Sequence, residues 1–274
     1  MFAEIIDRKN TPYAGLVNPI LSAALHAVDP YDCVYHNIAL NGDQLTIGGK
    51  VYSLDEYDHI YLIGTGKAVQ PMAGAVLDRL SGRISGGILI GKHDDAVYSK
   101  NLPVEIIFTL GSHPVPGPSS INSTMQVTTF LKKVTRKDLV ICLISGGGSA
   151  LMTLPYEPLT LADIQSTTKA LLFSGATINE VNIVRKHLDQ VKGGGLARMT
   201  APATLITLVL SDVIGDALDA IASGPTVADS STYRDAISII KKYELDKSLP
   251  KAVMEHQEKG LKGLVPETVK EHED

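Results

Sequence analysis

Residues 139–152 read LVICLISGGGSALM, and the other predicted elements are organised around this stretch. Residues 139–144 are apolar at every position and rich in β-branched side chains, which is typical of a strand covered on both faces in a parallel sheet. The apolar run stops at Ser145, three glycines follow, and Ala150 then opens a segment of good helix formers. The pattern predicts a strand, a glycine turn and the start of a helix.

The predicted turn has the composition of an anion-binding loop. Where glycine has no Cβ atom, backbone N–H groups can approach a phosphate or carboxylate closely, and a helix N-terminus adds positive potential. A tight turn that only needs positive φ would explain one or two glycines, whereas three between two serines favour anion binding. We therefore expect an anion to contact Ser145, Gly146, Gly147, Gly148 and Ser149.

The overall composition is that of an ordinary globular chain. It has 274 residues with 44% apolar content, 20% charged content and a formal net charge of −5, and the absence of a basic run disfavours a nucleic-acid partner. Cys33 and Cys142 lie far apart, so we expect free thiols rather than a disulfide or a metal site. No signal-peptide pattern and no apolar run of membrane-spanning length occur, and we expect a cytoplasmic protein without a membrane partner.

From residue 59 onward, strand patterns alternate with helix patterns. This alternation predicts an α/β fold with a mainly parallel sheet, and Asn41-Gly42 between alternating apolar runs predicts a small antiparallel hairpin near the N-terminus. The predicted strands are 60–63, 86–90, 104–110, 139–144 and 204–210. The predicted helices are 19–28, 68–80, 123–133, 160–173, 177–191, 196–199, 233–243 and 250–259.

Ligands of such a sheet bind at the carboxyl ends of its strands. We therefore expect the turns at 64–67, 111–113, 145–149 and 211–212 to share one edge of the sheet. The first turn contains Gly64, Gly66 and Lys67, and the lysine either neutralises phosphate oxygens or is simply solvated. The turn is not a P-loop, and it is not a dinucleotide fingerprint because Val69 stands where that pattern needs a third glycine.

Two further side chains are expected at this edge. Asp212 follows the strand at 204–210, where a carboxylate can hold Mg²⁺, accept a proton from a hydroxyl or cap the next helix. His113 precedes Pro114, which favours an extended backbone, and it either orients a substrate oxygen or is structural.

A second glycine cluster follows the helix predicted at 177–191, which opens with a Thr-x-x-Glu capping box. The apolar stripe of this helix leaves Arg185 on the opposite, polar face. Either that face is solvated, or the cluster is a second anion site with Arg185 and Lys192 beside it. The glycines of this cluster are Gly193, Gly194 and Gly195.

The chain resembles the class II glycerate kinases, the glycerate 2-kinase family whose C-terminal part is called the MOFRL domain. Several members of that family have been labelled hydroxypyruvate reductase. The resemblance covers about residues 15–245 and is carried by GTGKA at 64–68, SHPVP at 112–116, SGGGSAL at 145–151, SGATINEVNIVRKHL at 174–188, KGGGLA at 192–197, and LSDVIGD at 210–216 with IASGPT at 221–226.

The resemblance implies ATP- and Mg²⁺-dependent phosphorylation of D-glycerate at its 2-hydroxyl, giving 2-phosphoglycerate. It implies that Lys67 and Asp212 are the catalytic pair, the lysine for phosphate charge and the aspartate for the hydroxyl proton or Mg²⁺. The glycine loops would bind nucleotide phosphate or the substrate carboxylate, and we expect His113, Arg185 and Lys192 to contact the substrate.

The resemblance also implies a Rossmann-like three-layer domain over 1–274, equivalent to the N-terminal domain of a longer two-domain kinase. We expect either a separately encoded C-terminal domain or a homo-oligomer.

Two other functions stay open, an NAD(P)H-dependent hydroxypyruvate reductase and a non-catalytic module that binds a nucleotide or a sugar acid. The missing third glycine, and the lack of an acidic residue at a strand end about 20 residues beyond Gly66, count against the reductase. The next predicted strand instead ends in Gly91-Lys92-His93, where a basic residue would suit a 2′-phosphate.

Overall fold

Two β-sheets lie in the part of the chain that the structure, a computed structural model, describes: residues 14–80, 82–92, 103 and 105–271. His93 and Val104, which belong to predicted strand ends, lie outside the described residues. The strands are β1 (Ile38–Asn41), β2 (Gln44–Ile47), β3 (Lys50–Ser53), β4 (His59–Thr65), β5 (Gly86–Gly91), β6 (Ile106–Leu110), β7 (Asp138–Ser145) and β8 (Thr204–Leu210). The small sheet is antiparallel in the order β1-β2-β3, and the large sheet is parallel in the order β6-β5-β4-β7-β8.

The helices surround the parallel sheet. They are α1 (Ala14–Ala27), α2 (Pro30–His36), α3 (Val69–Leu80), α4 (Pro118–Leu131), α5 (Gly148–Leu151), α6 (Leu161–Phe173), α7 (Ile178–Lys186), α8 (Gly195–Thr200), α9 (Tyr233–Lys242) and α10 (Lys251–Leu261). Short 3₁₀ turns cover Leu54–Glu56 and Ile221–Ser223.

Strand β7 is buried along its whole length, since all eight of its residues are buried. Its alternate side chains enter two different cores. Ile141 belongs to one buried cluster with Met72 of α3, and Cys142 belongs to another with Val127 of α4. Both faces of the sheet are therefore covered by helices, and the predicted three-layer α/β fold is confirmed.

The strand order contains one switch point. Counted from β4, the parallel strands are ordered 3-2-1-4-5, which is the order of Rossmann-type sheets. The chain winds one way from β4 to β6 and then returns to β7 on the other side of β4. Ligands of such sheets bind in the crevice outside the carboxyl ends of the two strands at this point, here Thr65 and Ser145.

A separate helical core lies beside the sheet. Buried residues of α6, α7, α9 and α10 form a cluster of their own, including Ile164, Val184, Ile240 and Val253. Three of these helices, α6, α7 and α9, begin with complete capping boxes at Thr160, Thr177 and Thr232.

The helix predicted at 177–191 is shorter in the structure, where α7 ends at Lys186. The apolar spacing continues to Val191, but Asp189 turns the chain. Its Oδ1 accepts a hydrogen bond from the Val191 N–H (3.0 Å), and its backbone forms an isolated bridge with Pro155. Aspartate competes for backbone N–H groups in this way, so periodicity alone misplaces the helix end.

The N-terminal region contains more structure than predicted. The hairpin gains β3, because Gly48 and Gly49 adopt positive φ (+56° and +79°) and turn the chain again. The helix predicted at 19–28 is α1, which already begins at Ala14, and α2 was not predicted. Its signal is Asp29, whose side chain accepts hydrogen bonds from two N–H groups at the start of α2.

Both cysteines are free, as expected, and burial raises the pKa of the Cys142 thiol to about 12. Among the described residues, none of the helices has the length and apolar character needed to cross a membrane.

Candidate active site

The loops that follow β4 and β7 are hydrogen-bonded to each other at the switch point. The Lys67 N–H donates to the Gly146 carbonyl (2.9 Å), and the Ala68 N–H donates to Ser145 Oγ (3.0 Å). Gly66 has a φ of +133°, and a Cβ at this position would overlap Ser145 Oγ. The glycine therefore lets the two loops lie in direct contact.

The loop after β7 presents a row of unused backbone donors. In the described part of the chain, the N–H groups of Gly146, Gly147, Gly148 and Ser149 donate to no protein acceptor. Gly147 adopts the left-handed region (φ +88°, ψ −9°) directly before the helical residue Gly148. Successive N–H groups around such a residue form a concave nest that suits an anion.

Lys67 and Asp212 face each other beside this loop. Lys67 Nζ lies 3.9 Å from Asp212 Oδ2, and both side chains are half exposed. Asp212 reaches this position because Gly146 has no side chain, and a Cβ there would overlap the carboxylate. The structure thus brings together the predicted cation, the predicted acid and the glycine loop.

His113 packs against the same glycine loop. A Cβ on Gly147 would lie 2.9 Å from His113 Cδ2, so the imidazole packs directly on the glycine. Burial lowers the pKa of His113, and the positive charges of Lys67 and Lys92 lower it further. His113 Nδ1 is buried and has no partner among the described residues. Both effects favour the neutral ring, and its Nδ1 is an unused nitrogen.

Arg185 reaches the same loop from α7. Its Nη2 donates to the Ser149 carbonyl (3.1 Å), whereas its Nε is buried and has no partner in the described ranges. Burial lowers the pKa of the guanidinium, and the nearby Asp189 carboxylate opposes this shift. A buried cation with one unused donor is well suited to an anionic ligand.

Lys192 does not lie at this edge. Its ammonium is buried and donates to Asp189 Oδ2 (2.7 Å) and to the Met152 carbonyl (3.1 Å). Burial lowers the pKa of Lys192 to about 8, against the opposing effect of Asp189. In this geometry Lys192 supports the core, and its predicted contact with the substrate stays a prediction.

The second glycine cluster, for which we expected an anion, has its backbone donors occupied by the protein itself. Its N–H groups are already used, because Gly193, Gly194 and Gly195 donate to the carbonyls of Ser223, Gly224 and Lys192. Gly64 is also buried, and a Cβ at this position would lie only 2.7 Å from Val69 Cγ2. These four glycines allow close packing and offer no free donor to a ligand.

The turn Ile221–Ser223 contacts the glycine loop after β7 and supports it, a role that we did not predict from the sequence. Ser223 Oγ lies 2.7 Å from Ser149 Oγ and donates to Asn182 Oδ1 (3.4 Å). Ala222 and Ser223 both have positive φ (+51° and +63°). Such backbone strain clusters at functional sites, and the SGP tripeptide is the part of the sequence that signals this turn.

Comparisons with known proteins agree with this architecture. The family described as "Domain of unknown function (DUF4147)" matches residues 16–258. A Pyrococcus horikoshii protein named glycerate 2-kinase is 41% identical over 252 residues, covering 92% of this chain and 55% of that protein. The crystal structure of a Thermotoga maritima glycerate kinase superposes with a TM-score of 0.77 at 36% identity, covering 93% of this chain and 56% of the other.

A relative with a different name also matches. An Agrobacterium vitis protein named putative hydroxypyruvate reductase is 45% identical over 185 residues, covering 68% of this chain and 41% of that protein. The chain spans about half the length of the curated relatives it matches. The matches to glycerate kinases confirm the resemblance carried by the motifs, and because the family match covers most of the sequence, the chain belongs to the DUF4147 family.

Proposed function

We propose that this chain is a glycerate 2-kinase or the N-terminal domain of one, which transfers a phosphoryl group from ATP to the 2-hydroxyl of D-glycerate and forms 2-phosphoglycerate. The observation that carries the proposal is the placement of Lys67 and Asp212 across a loop with four unused N–H groups. The names of the relatives from Pyrococcus horikoshii and Thermotoga maritima support the choice of substrate.

Phosphoryl transfer depends mainly on positioning and on neutralising charge. In the proposed reaction the loop N–H groups and Lys67 bind phosphate oxygens of the donor, and their fixed dipoles and charge stabilise the transferring group. The 2-hydroxyl oxygen attacks the γ-phosphorus, the bond between that phosphorus and the bridging oxygen breaks, and ADP leaves. Asp212 accepts the hydroxyl proton as general base.

The acceptor would be oriented by the two groups with unused nitrogens. The Arg185 guanidinium suits the carboxylate of a hydroxy acid because it offers several fixed donors and keeps its charge. The neutral His113 ring can hydrogen-bond a hydroxyl or carboxylate oxygen through Nδ1.

The residues present fit Mg²⁺ only as a partner of the bound phosphates. No group of three or more His, Cys, Asp or Glu side chains that could hold a metal is found among the described residues. Mg²⁺ is commonly bound by one or two carboxylates together with substrate phosphates and water, and Asp212 is the exposed carboxylate beside the loop. When bound, the ion would neutralise phosphate charge.

The reductase function is the second candidate, because of the name of the Agrobacterium vitis relative. The loop after β4 does not favour it. In dinucleotide-binding folds the third glycine permits close packing of helix and strand, whereas Val69 fills this position and packs on Gly64.

The proposal is tested by coupled assays, one with D-glycerate and ATP and one with hydroxypyruvate and NAD(P)H. Lys67→Ala and Asp212→Asn should each lower kinase turnover by about 100-fold or more, as the loss of a charge-stabilising donor or a general base does. Lys251→Ala, at a lysine that is 90% exposed, is the control for charge removal and should leave turnover unchanged.

Each other outcome has a definite meaning. Full kinase activity in either site variant rejects the role of that residue. Reduction of hydroxypyruvate without phosphorylation of glycerate favours the reductase. ATP binding without either reaction favours the binding module.

A further inference from the structure

A cavity of about 620 Å³ lies beside the glycine loop, and of the residues that line it the proposed phosphoryl transfer uses only Arg185. Small-molecule and cofactor sites have volumes of about 300–1,000 Å³, so the cavity is large enough for a drug-sized ligand. D-Glycerate, a three-carbon acid, would fill only a small part of it. The lining residues that matter here are Val115, Gln165, Thr168, Leu172, Phe173 and Arg185.

The cavity and the glycine loop share two walls. Arg185 lines the cavity and donates to the carbonyl of Ser149, the last residue of the loop. Pro114 also lines the cavity and directly follows His113, whose ring packs on Gly147. One molecule can therefore place a phosphate tail on the loop and another part of itself in the cavity.

One wall of the cavity is formed by α6 and the loop after His113, and a hydrogen bond joins these two segments. Gln165 Nε2 donates to the Pro116 carbonyl (2.7 Å), which fixes the loop against α6. The apolar side chains on this wall nevertheless face solvent, with exposed fractions of 58% for Val115, 57% for Leu172 and 81% for Phe173. They provide a preformed apolar surface that the described residues leave uncovered.

The charges on the lining are positive only. Arg185 contributes a buried Nε donor without a described partner, and Lys169 Nζ lies 5.7 Å from the centre of the Phe173 ring. Carboxylates are absent from the described residues that line the cavity. Aromatic rings and guanidinium planes both stack on nucleobases, and an N–H donor matches the acceptor nitrogens of a base ring.

We propose that this cavity receives the base of the nucleoside triphosphate whose phosphates lie on the glycine loop. The inference rests on the proposed kinase function and adds the position of the nucleoside. Phe173 provides the stacking surface for the base. Arg185, which the proposed function assigns to the acceptor carboxylate, lies between the cavity and the glycine loop.

The test compares ATP with inorganic tripolyphosphate, which has the same phosphate chain but no base, by titration calorimetry on the full chain. ATP should bind more tightly than tripolyphosphate. Phe173→Ala should weaken ATP binding about fivefold or more, as the loss of one stacking ring does, and leave tripolyphosphate binding unchanged. Leu264→Ala, at an exposed apolar residue outside the cavity, is the matched control and should change neither affinity.

The outcomes separate the two proposals. Equal affinity of the wild-type chain for both ligands, or an unchanged ATP affinity in Phe173→Ala, overturns the base site and leaves the kinase proposal intact. Equal weakening of both ligands in Phe173→Ala also overturns it, because the ring would then act on the phosphates. Binding of neither ligand overturns the kinase proposal for this chain and the base site with it.

Discussion

At Gly147, both the backbone conformation and the proposed anion binding depend on the absence of a side chain. Its φ of +88° is in the left-handed region, which costs about 1–2 kcal/mol for a residue with a Cβ. A Cβ would in addition lie 2.9 Å from the His113 ring and 3.3 Å from Lys67 Cγ. An added methyl group would therefore push apart two of the residues that surround the loop.

Gly147→Ala is expected to destabilise the fold by about 1–2 kcal/mol and also to abolish tripolyphosphate binding. Gly175→Ala is its matched control, because Gly175 has nearly the same φ (+83°) and open space where the Cβ would be. In urea denaturation Gly147→Ala should lose at least as much stability as Gly175→Ala, and only Gly147→Ala should lose binding. Equal binding by the two variants would contradict a role for this loop in holding the anion.

At this scale the sequence was enough to predict which residues lie together at the edge of the sheet, but not which lie in the interior. Lys67, His113 and Asp212 each lie within three residues of the end of a strand, so the rule for parallel sheets is enough to bring them together. Lys192 looks equally suitable from sequence, since it precedes three glycines. Its burial against Asp189 depends on the turn after α7, which no local pattern specifies.

Among the elements, α7 connects the glycine loop to the segment that precedes the Ile221–Ser223 turn. Its Arg185 contacts the loop, and its Lys186 is buried between two carboxylates, 3.3 Å from Asp219 Oδ2 and 3.2 Å from Asp229 Oδ1. Burial alone would raise the pKa of Asp229, but the Lys186 charge and the hydrogen bonds from Ser231 outweigh this effect and lower it. Lys186 thus ties α7 to the segment that leads into the Ile221–Ser223 turn.

Lys186→Met is expected to reduce the free energy of unfolding by about 3 kcal/mol or more, because it leaves the buried Asp229 carboxylate without its cation. Lys242→Met is the matched control, since Lys242 also pairs with a carboxylate, Glu180 Oε1 at 2.6 Å, but is 61% exposed. Solvent screens such a pair, so its loss should matter much less. Similar losses in the two variants, measured by urea denaturation, would show that burial does not set the strength of the Lys186 contacts.

Elements were predictable where burial and local signals agree. Residues 139–144 of strand β7 are all apolar and β7 is paired on both sides, with β4 and β8, and the capping box at Thr177 marks a helix start that the structure reproduces. The polar face of α7 was not predictable, because its buried residues Asn182 and Lys186 have partners far away in sequence. A solvated face and a buried polar network have the same periodicity.

At the scale of the whole molecule, the last described segment explains the second glycine cluster. The Val269 N–H donates to the Gly193 carbonyl, and the Val269 carbonyl accepts from the Asp229 N–H (2.9 and 2.8 Å). A Cβ on Gly194 would overlap the Val269 side chain. Because Gly193 and Gly194 have no side chains, the segment around residue 269 can lie directly against the backbone of these two glycines.

Glu267 connects the segment around residue 269 to the helical core through contacts with Tyr233 and His187. Its carboxylate accepts hydrogen bonds from the N–H groups of Tyr233 and Thr268, and its Oε1 lies 2.8 Å from His187 Nε2. Burial by itself would raise the pKa of Glu267, but the adjacent His187 imidazole and the hydrogen bonds from the Tyr233 and Thr268 N–H groups outweigh it and lower the pKa to about 2. The folded protein therefore favours the ionised carboxylate.

The sign of the resulting pH dependence follows from linkage. A carboxylate whose pKa is lower in the folded state stabilises the fold above its unfolded pKa of about 4.5 and loses this contribution as the pH falls towards about 2. The difference in free energy of unfolding between wild type and Glu267→Gln should therefore be constant above about pH 5 and shrink below it. Glu255→Gln, at an exposed glutamate on α10, should show a much smaller difference at every pH. A Glu267→Gln difference that does not change between about pH 6 and pH 3 would mean that the segment is held by shape and neutral hydrogen bonds, and not by the charge of this carboxylate.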